Sequence, residues 1–110
     1  MAAADEQLCL VYRLRPGAGA EYDRRHRDIL PGIVEMMSDA GFYDYSIFRR
    51  GELVITTFRT RAGFREAEAA CQRSPLQAIW GASLAHLFEE VADAAGEPLW
   101  APRVFRIGDG

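Results

Sequence analysis

Polar and apolar residues alternate over "QLCLVYRLR", residues 7 to 15, so that Leu8, Leu10, Tyr12 and Leu14 share one face and Cys9, Val11, Arg13 and Arg15 the other. Period two predicts a strand, and the "PGAG" that follows ends it. From Ala20 to about Ala40 the apolar positions step by three and four instead. Tyr22, His26, Ile29, Ile33, Met36, Met37 and Ala40 fall on one helical stripe, roughly 100° wide, while Asp23, Arg24 and Arg27 point elsewhere. Gly41 is a helix stop, and Pro31 predicts a kink or a restart as two pieces. "FYDYSIFRR" and "ELVITTFRT" are β-rich and joined at Arg50 and Gly51, which predicts a hairpin with the second strand the more buried. "RAGFREAEAACQR" is helical. Ser74 and Pro75 then read as the N-cap and first residue of another helix, "LQAIWGASLAHLFEEVADAAG", and "RVFRI" as a short closing strand.

The predicted order is strand, helix, strand, strand, helix, strand. That is the βαββαβ pattern of the ferredoxin-like α+β class, an antiparallel sheet with helices on one face. Residues 1–110 are expected to form one domain, since this length supports a single core. A sheet covered on one side leaves its other face bare, so a homodimer in the manner of a dimeric α+β barrel is expected.

Charge narrows the partners. The net charge is −3 and the pI near 5.3, which gives no electrostatic reason to expect nucleic acid or an anionic membrane. Gly17 and Gly19 sit between a strand and a helix, but Tyr22 stands where a dinucleotide fingerprint needs its third glycine, so a tight turn is the expected reason for both. His26 and His86 are sixty residues apart in chain order and belong to no metal-ligand spacing, so neither metal nor cofactor is expected. The opening "MAAADEQ" lacks the features of an export signal and no run is long and apolar enough to span a bilayer, which predicts a cytoplasmic protein with Cys9 and Cys71 reduced.

The candidate chemistry begins at Tyr22 and His26, one helical turn apart at the start of the core-facing stripe. An imidazole exchanges protons near neutral pH, so a His facing a cavity between helix and sheet is a candidate acid/base. Taken alone, the pair is explained more simply by the packing of two amphipathic residues at a helix rim. Tyr45 and Trp80 add aromatic walls with polar tips on other core-facing elements, a combination suited to stacking and hydrogen-bonding a sugar-sized ligand.

"EYDRRHRDILPGIVEMMSDAGFYDYSIF" resembles the L-rhamnose mutarotase family, and the likeness continues more weakly through "SPLQAIW" to "PRVFRI". The resemblance implies a small dimeric α+β barrel that interconverts sugar anomers without cofactor or metal. By it, His26 is the acid/base with Tyr22 beside it, Tyr22 and Tyr45 contact the sugar, and Ile79 and Trp80 form the pocket wall. The "IW" at 79–80 stands where the family has two adjacent tryptophans, which leaves room for a different or larger ligand. The alternatives are a polyketide-type cyclase or cofactor-independent oxygenase on the same barrel, or a ligand-binding module without catalysis. A sugar site should be lined by polar tips and a polyketide site by apolar surface.

Overall fold

In the computed structural model, residues 5–108 are described. The terminal "GDG", which its sequence predicts to be a frayed tail, lies largely outside them. Strand β1 (Leu8–Leu14) is followed by helices α1 (Gly19–Arg27) and α2 (Ile33–Asp39), strands β2 (Phe42–Arg50) and β3 (Leu53–Thr60), helices α3 (Phe64–Gln72) and α4 (Pro75–Leu84), a 3-10 turn at Ala85–Leu87 and strand β4 (Phe88–Glu90). The strands lie in the order β2-β3-β1-β4, and the three pairings are antiparallel. This is the expected ferredoxin-like α+β arrangement.

The register sorts the side chains into two faces. Leu8, Leu10 and Tyr12 lie opposite Phe58, Thr56 and Val54 of β3. Leu10, Leu14, Val54, Thr56, Phe58 and Thr60 are buried, so this is the helix-covered face. β3 alternates strictly between buried and half-buried positions, whereas β2 is largely exposed, as expected of an edge strand. The other face carries Cys9, Val11, Leu53, Ile55 and Phe48, and Phe48 is 61 % exposed.

β2 departs from strict alternation at one place. Asp44 adopts φ 51° where the register shifts between Tyr43 and Ser46, a bulge that Asp tolerates better than most residues. Alternation alone would put Tyr43 and Tyr45 on one face. With the bulge, Tyr45 stacks on Phe58 on the helix side, while Tyr43 bonds the Asp5 carboxylate and lies under Arg61.

Pro31 ends one helix and precedes another. Asp28 caps α1, and Gly32 at φ 92° turns the chain into α2. Ser74 accepts a hydrogen bond from the Leu76 amide, with Pro75 in the first turn of α4, as expected.

The end of the chain differs from expectation. The helix predicted to run to Gly96 stops at Leu84, and the sheet's fourth strand is Phe88–Glu90 within that stretch. "RVFRI" is not a strand, and Val104, Phe105 and Ile107 are 97 %, 75 % and 87 % exposed. The reason lies in the sheet edge. Arg13 and Leu14 already pair with β4, and Cys9, Leu10 and Val11 pair with residues 99–101 through Trp100 opposite Leu10 and bonds from Val11 N to Leu99 O and Ala101 N to Cys9 O. Continuing the antiparallel register from Leu10 opposite Trp100 carries residues from 103 onward past Leu8, the start of β1, so they have no strand to pair with there.

Candidate active site

Tyr22 enters the core from α1, 5 % exposed and packed with Leu14, Val54, Leu84 and Leu87. One turn on, the His26 ring lies 4.3 Å from the Tyr22 ring and 5.3 Å from Trp80 of α4, edge to face. Helical spacing brings the first pair together, and the packing of α4 over the same core brings the third ring. Phe88 completes the group, with its ring 5.9 Å from Tyr22 and 5.6 Å from Tyr12.

His26 Nδ1 lies 2.9 Å from the Tyr22 carbonyl oxygen. A carbonyl only accepts, so Nδ1 carries the proton in this bond, and in the neutral ring Nε2 keeps its lone pair. The ring borders a cleft of about 420 Å³ lined by Tyr22, Asp23, His26, Arg27, Ile47 and Arg49. Four of those six side chains are charged or ionisable near neutral pH, so the cleft has the polar lining that a hydroxylated ligand needs.

Two of the lining groups hold the helix to the sheet. Arg49 Nε and Nη2 donate to the two oxygens of Asp23 at 2.7 and 2.6 Å, and Nη1 donates to the Gly51 carbonyl at 2.7 Å. The Arg49 bond holds the Asp23 carboxyl below its ordinary range. Gly19 explains how the guanidinium fits: a Cβ there would collide with it. Gly17, at φ 83°, does serve a turn, but Gly19 has this different reason.

Tyr45 stands in a second aromatic group with Phe42, Phe58, Phe64 and Trp100. As a whole residue it is 42 % exposed, so it lies at the edge of that group although its phenol is largely desolvated. Burial pushes it well above the ordinary range, and Tyr12, Tyr22 and Cys71 add to the effect through space. Burial likewise raises Tyr22 to about 12, with contributions from Tyr12 and Asp23. Ile79 points outward from α4 and is exposed, so it is not part of the ring cluster formed by its neighbour Trp80.

The structure thus gathers Tyr22, His26 and Trp80, places Tyr45 in the neighbouring Phe58 group and leaves Ile79 exposed. Sequence reasoning missed Arg49, along with its partner Asp23 and also Tyr12. The one signal for Tyr12 was its place on the buried face of β1. Among the described residues no three His, Cys, Asp or Glu side chains converge as metal ligands do, and no helix is long and apolar enough to cross a membrane. A larger cleft of about 890 Å³ lies toward the Leu8 end of β1, between Phe64, Glu68, Trp100 and the segment 102–105. It contains neither histidine.

Comparison with known proteins decides the family. Residues 7–107 match the family model of L-rhamnose mutarotase. The chain belongs to the L-rhamnose mutarotase family. It is similar to the L-rhamnose mutarotase of Acidiphilium cryptum, 34 % identical over 93 % of this chain and 98 % of the relative, and to that of Verminephrobacter eiseniae, 36 % identical over 88 % and 90 %. The crystal structure of the L-rhamnose mutarotase from Formosa agariphila superposes with a TM-score of 0.72 over 94 % of this chain and 99 % of that one, at 18 % identity, which establishes the shared fold.

Proposed function

We propose that this chain is a mutarotase that interconverts the α and β anomers of L-rhamnose or a related 6-deoxyhexose, with His26 as the proton-exchanging group. The observation that carries this reading is the His26 Nδ1 bond to the Tyr22 carbonyl, which orients the ring and leaves Nε2 as the nitrogen free for a ligand at the cleft. The Nε2 lone pair takes the proton of the anomeric hydroxyl as the bond from C1 to the ring oxygen breaks. A donor supplies a proton to that oxygen, giving the open-chain aldehyde. Rotation about C1–C2 exposes the other face of the carbonyl, and closure returns both protons. Tyr22, one helical turn from His26 at the same cleft and neutral at physiological pH, is positioned to hold or relay that second proton. Tyr45 and Trp80 contact the sugar, and Ile79 meets it only at the rim.

The charged lining favours this chemistry over a flat polyketide substrate, which needs apolar walls. The same reading takes the chain as a single cytoplasmic domain, supported by one continuous sheet and two free thiols. It also takes the working form as a homodimer. Exposed Phe48 on the uncovered sheet face and the bare Val104, Phe105 and Ile107 supply the apolar surface that a second copy would cover. Exchange NMR on L-rhamnose tests the activity: the protein should accelerate anomer exchange, and the reading fails if exchange keeps its spontaneous rate. Light scattering tests the dimer, for which a particle of about twice the 12.3 kDa chain mass is expected.

A further inference from the structure

Arg27 is the last residue of α1, one position after His26, and it lines the same cleft. The carbonyl end of a helix favours cations, which accounts for a basic residue there. It does not account for how its neighbours are paired.

Arg24 and Arg25 follow Glu21 by three and four positions and pair with it at 3.8 and 2.9 Å. Helical spacing offers Arg27 a partner of the same kind in Asp23, four positions before it. Arg49 takes both oxygens of that carboxylate instead, at 2.7 and 2.6 Å. The residue three positions before Arg27 is another arginine, and the adjacent Asp28 does not face it on a helix. Among the described residues, Arg27 therefore makes neither an ion pair nor a hydrogen bond.

An exposed arginine without a partner is ordinary on an open surface. This one shares a cleft of about 420 Å³ with His26, and there the charges of Asp23 and Arg49 cancel each other. Arg27 is left as the fixed charge of that lining without a counter-charge. A guanidinium presents a planar fork of donors and no acceptor, which matches two neighbouring oxygens of a ligand.

Resting on the mutarotase reading, we propose that Arg27 binds the substrate, its fork donating to two adjacent hydroxyl oxygens of the sugar ring other than the anomeric one. The contact selects sugars by the configuration of those hydroxyls. Arg49 is a positioning residue in this arrangement, because by holding Asp23 it keeps Arg27 free. Proton exchange at C1 stays with His26.

The test is steady-state anomer exchange by NMR with wild type, Arg27→Gln, Arg49→Gln and the double variant Asp23→Asn with Arg49→Gln. The substrates are L-rhamnose and analogues that each lack one ring hydroxyl. Position 27 is exposed and Gln is a comparable helix former, so Arg27→Gln should melt with wild type. Loss of charge-assisted hydrogen bonds predicts a KM raised roughly tenfold in Arg27→Gln, with kcat falling far less. On an analogue that lacks a contacted hydroxyl, the KM gap between variant and wild type should narrow. Arg49→Gln releases Asp23 to its helical neighbour Arg27, a weak pairing that should raise KM only about twofold. Adding Asp23→Asn should restore the wild-type KM while kcat stays reduced. An unchanged KM in Arg27→Gln overturns the proposal and leaves the mutarotase reading standing. So does a KM gap of equal size on every analogue, since the effect then comes through the fold and not through a contact. A raised KM in Arg49→Gln that Asp23→Asn does not restore overturns the role given to Arg49. A wild-type protein that accelerates anomer exchange in no 6-deoxyhexose overturns the mutarotase reading, and this binding role with it.

Discussion

The helix-covered face holds two aromatic groups of similar size that behave differently. Around Phe58 the rings of Phe42, Phe64, Tyr45 and Trp100 pack against one another, and four of the five are hydrocarbon or nearly so. Around Tyr22 the rings of His26, Trp80, Tyr12 and Phe88 pack as closely. Ring distances do not distinguish the two. The polar tips do: the Phe58 group carries one hydroxyl, that of Tyr45, whereas the Tyr22 group carries two beside an imidazole, and the buried hydroxyl without a partner among the described residues is that of Thr60, outside both ring groups. Tyr45 belongs to the Phe58 group by its ring, and its phenol is acted on by Tyr12 and Tyr22.

The comparison breaks most visibly at its two centres. His26→Ala should lower anomer exchange by about 10²–10⁴-fold, the usual scale of general acid/base help, while the protein stays folded. Phe58→Ala should instead cost about 3–5 kcal/mol of stability, because it empties a site that is 1 % exposed, and the specific activity of the remaining folded protein should be nearly normal. Exchange NMR beside denaturant unfolding separates the two results. If His26→Ala loses mainly stability, the Tyr22 group is core.

Much of this was legible along the chain. Both hairpin strands, the Pro31 break, the Ser74–Pro75 helix start and the Tyr22–His26 pairing follow from local rules, since each depends on residues within a turn or two. The failures share one cause. "RVFRI" has strand character, but a strand needs an edge, and β1's edge is taken by two short segments that local patterning cannot reveal. The three-residue β4 is too short for alternation to show against the helical run before it. Tyr12, Asp23 and Arg49 matter through neighbours distant in sequence, and the Asp44 bulge resets the face of Tyr45 without any glycine to announce it.

A milder test removes one polar tip and leaves the ring. Tyr22→Phe should reduce exchange by roughly tenfold and leave melting unchanged or slightly raised, since the hydroxyl makes no bond within the described residues that its loss would break. The phenols also predict an alkaline limit. Burial first, then neighbouring groups, raises Tyr12, Tyr22 and Tyr45, so the folded state keeps protons that the unfolded state releases. Their stabilisation is whole below the ordinary value of 10 and is lost as pH rises toward about 12, the Tyr22 value. Melting curves over that range should fall less steeply for Tyr22→Phe than for wild type, and equal slopes would remove Tyr22 from the account.

The smallest effect concerns what holds α1 at its height over the sheet. Asp23 and Arg49 are partly exposed, so their pairing adds little stability and its main result is the placement of Tyr22 and His26 relative to Ile47. Asp23→Asn should therefore lower melting by only a degree or two while reducing kcat severalfold. The sign with pH is fixed by the carboxyl, which the Arg49 hydrogen bond holds below its ordinary value. The stabilisation is present above the unfolded carboxyl pKa, about 4, and disappears as pH falls through the lower folded value. Wild type and Asp23→Asn should thus differ at neutral pH and converge only once pH has fallen below the lowered folded value, where both lack the charge. Gly19→Ala reaches the same bond from the other side, because the added Cβ displaces a flexible guanidinium rather than backbone. If placement of α1 matters, it should reproduce the kcat loss of Asp23→Asn with no further loss in the double variant. Additive losses would show that the clamp and the glycine act separately.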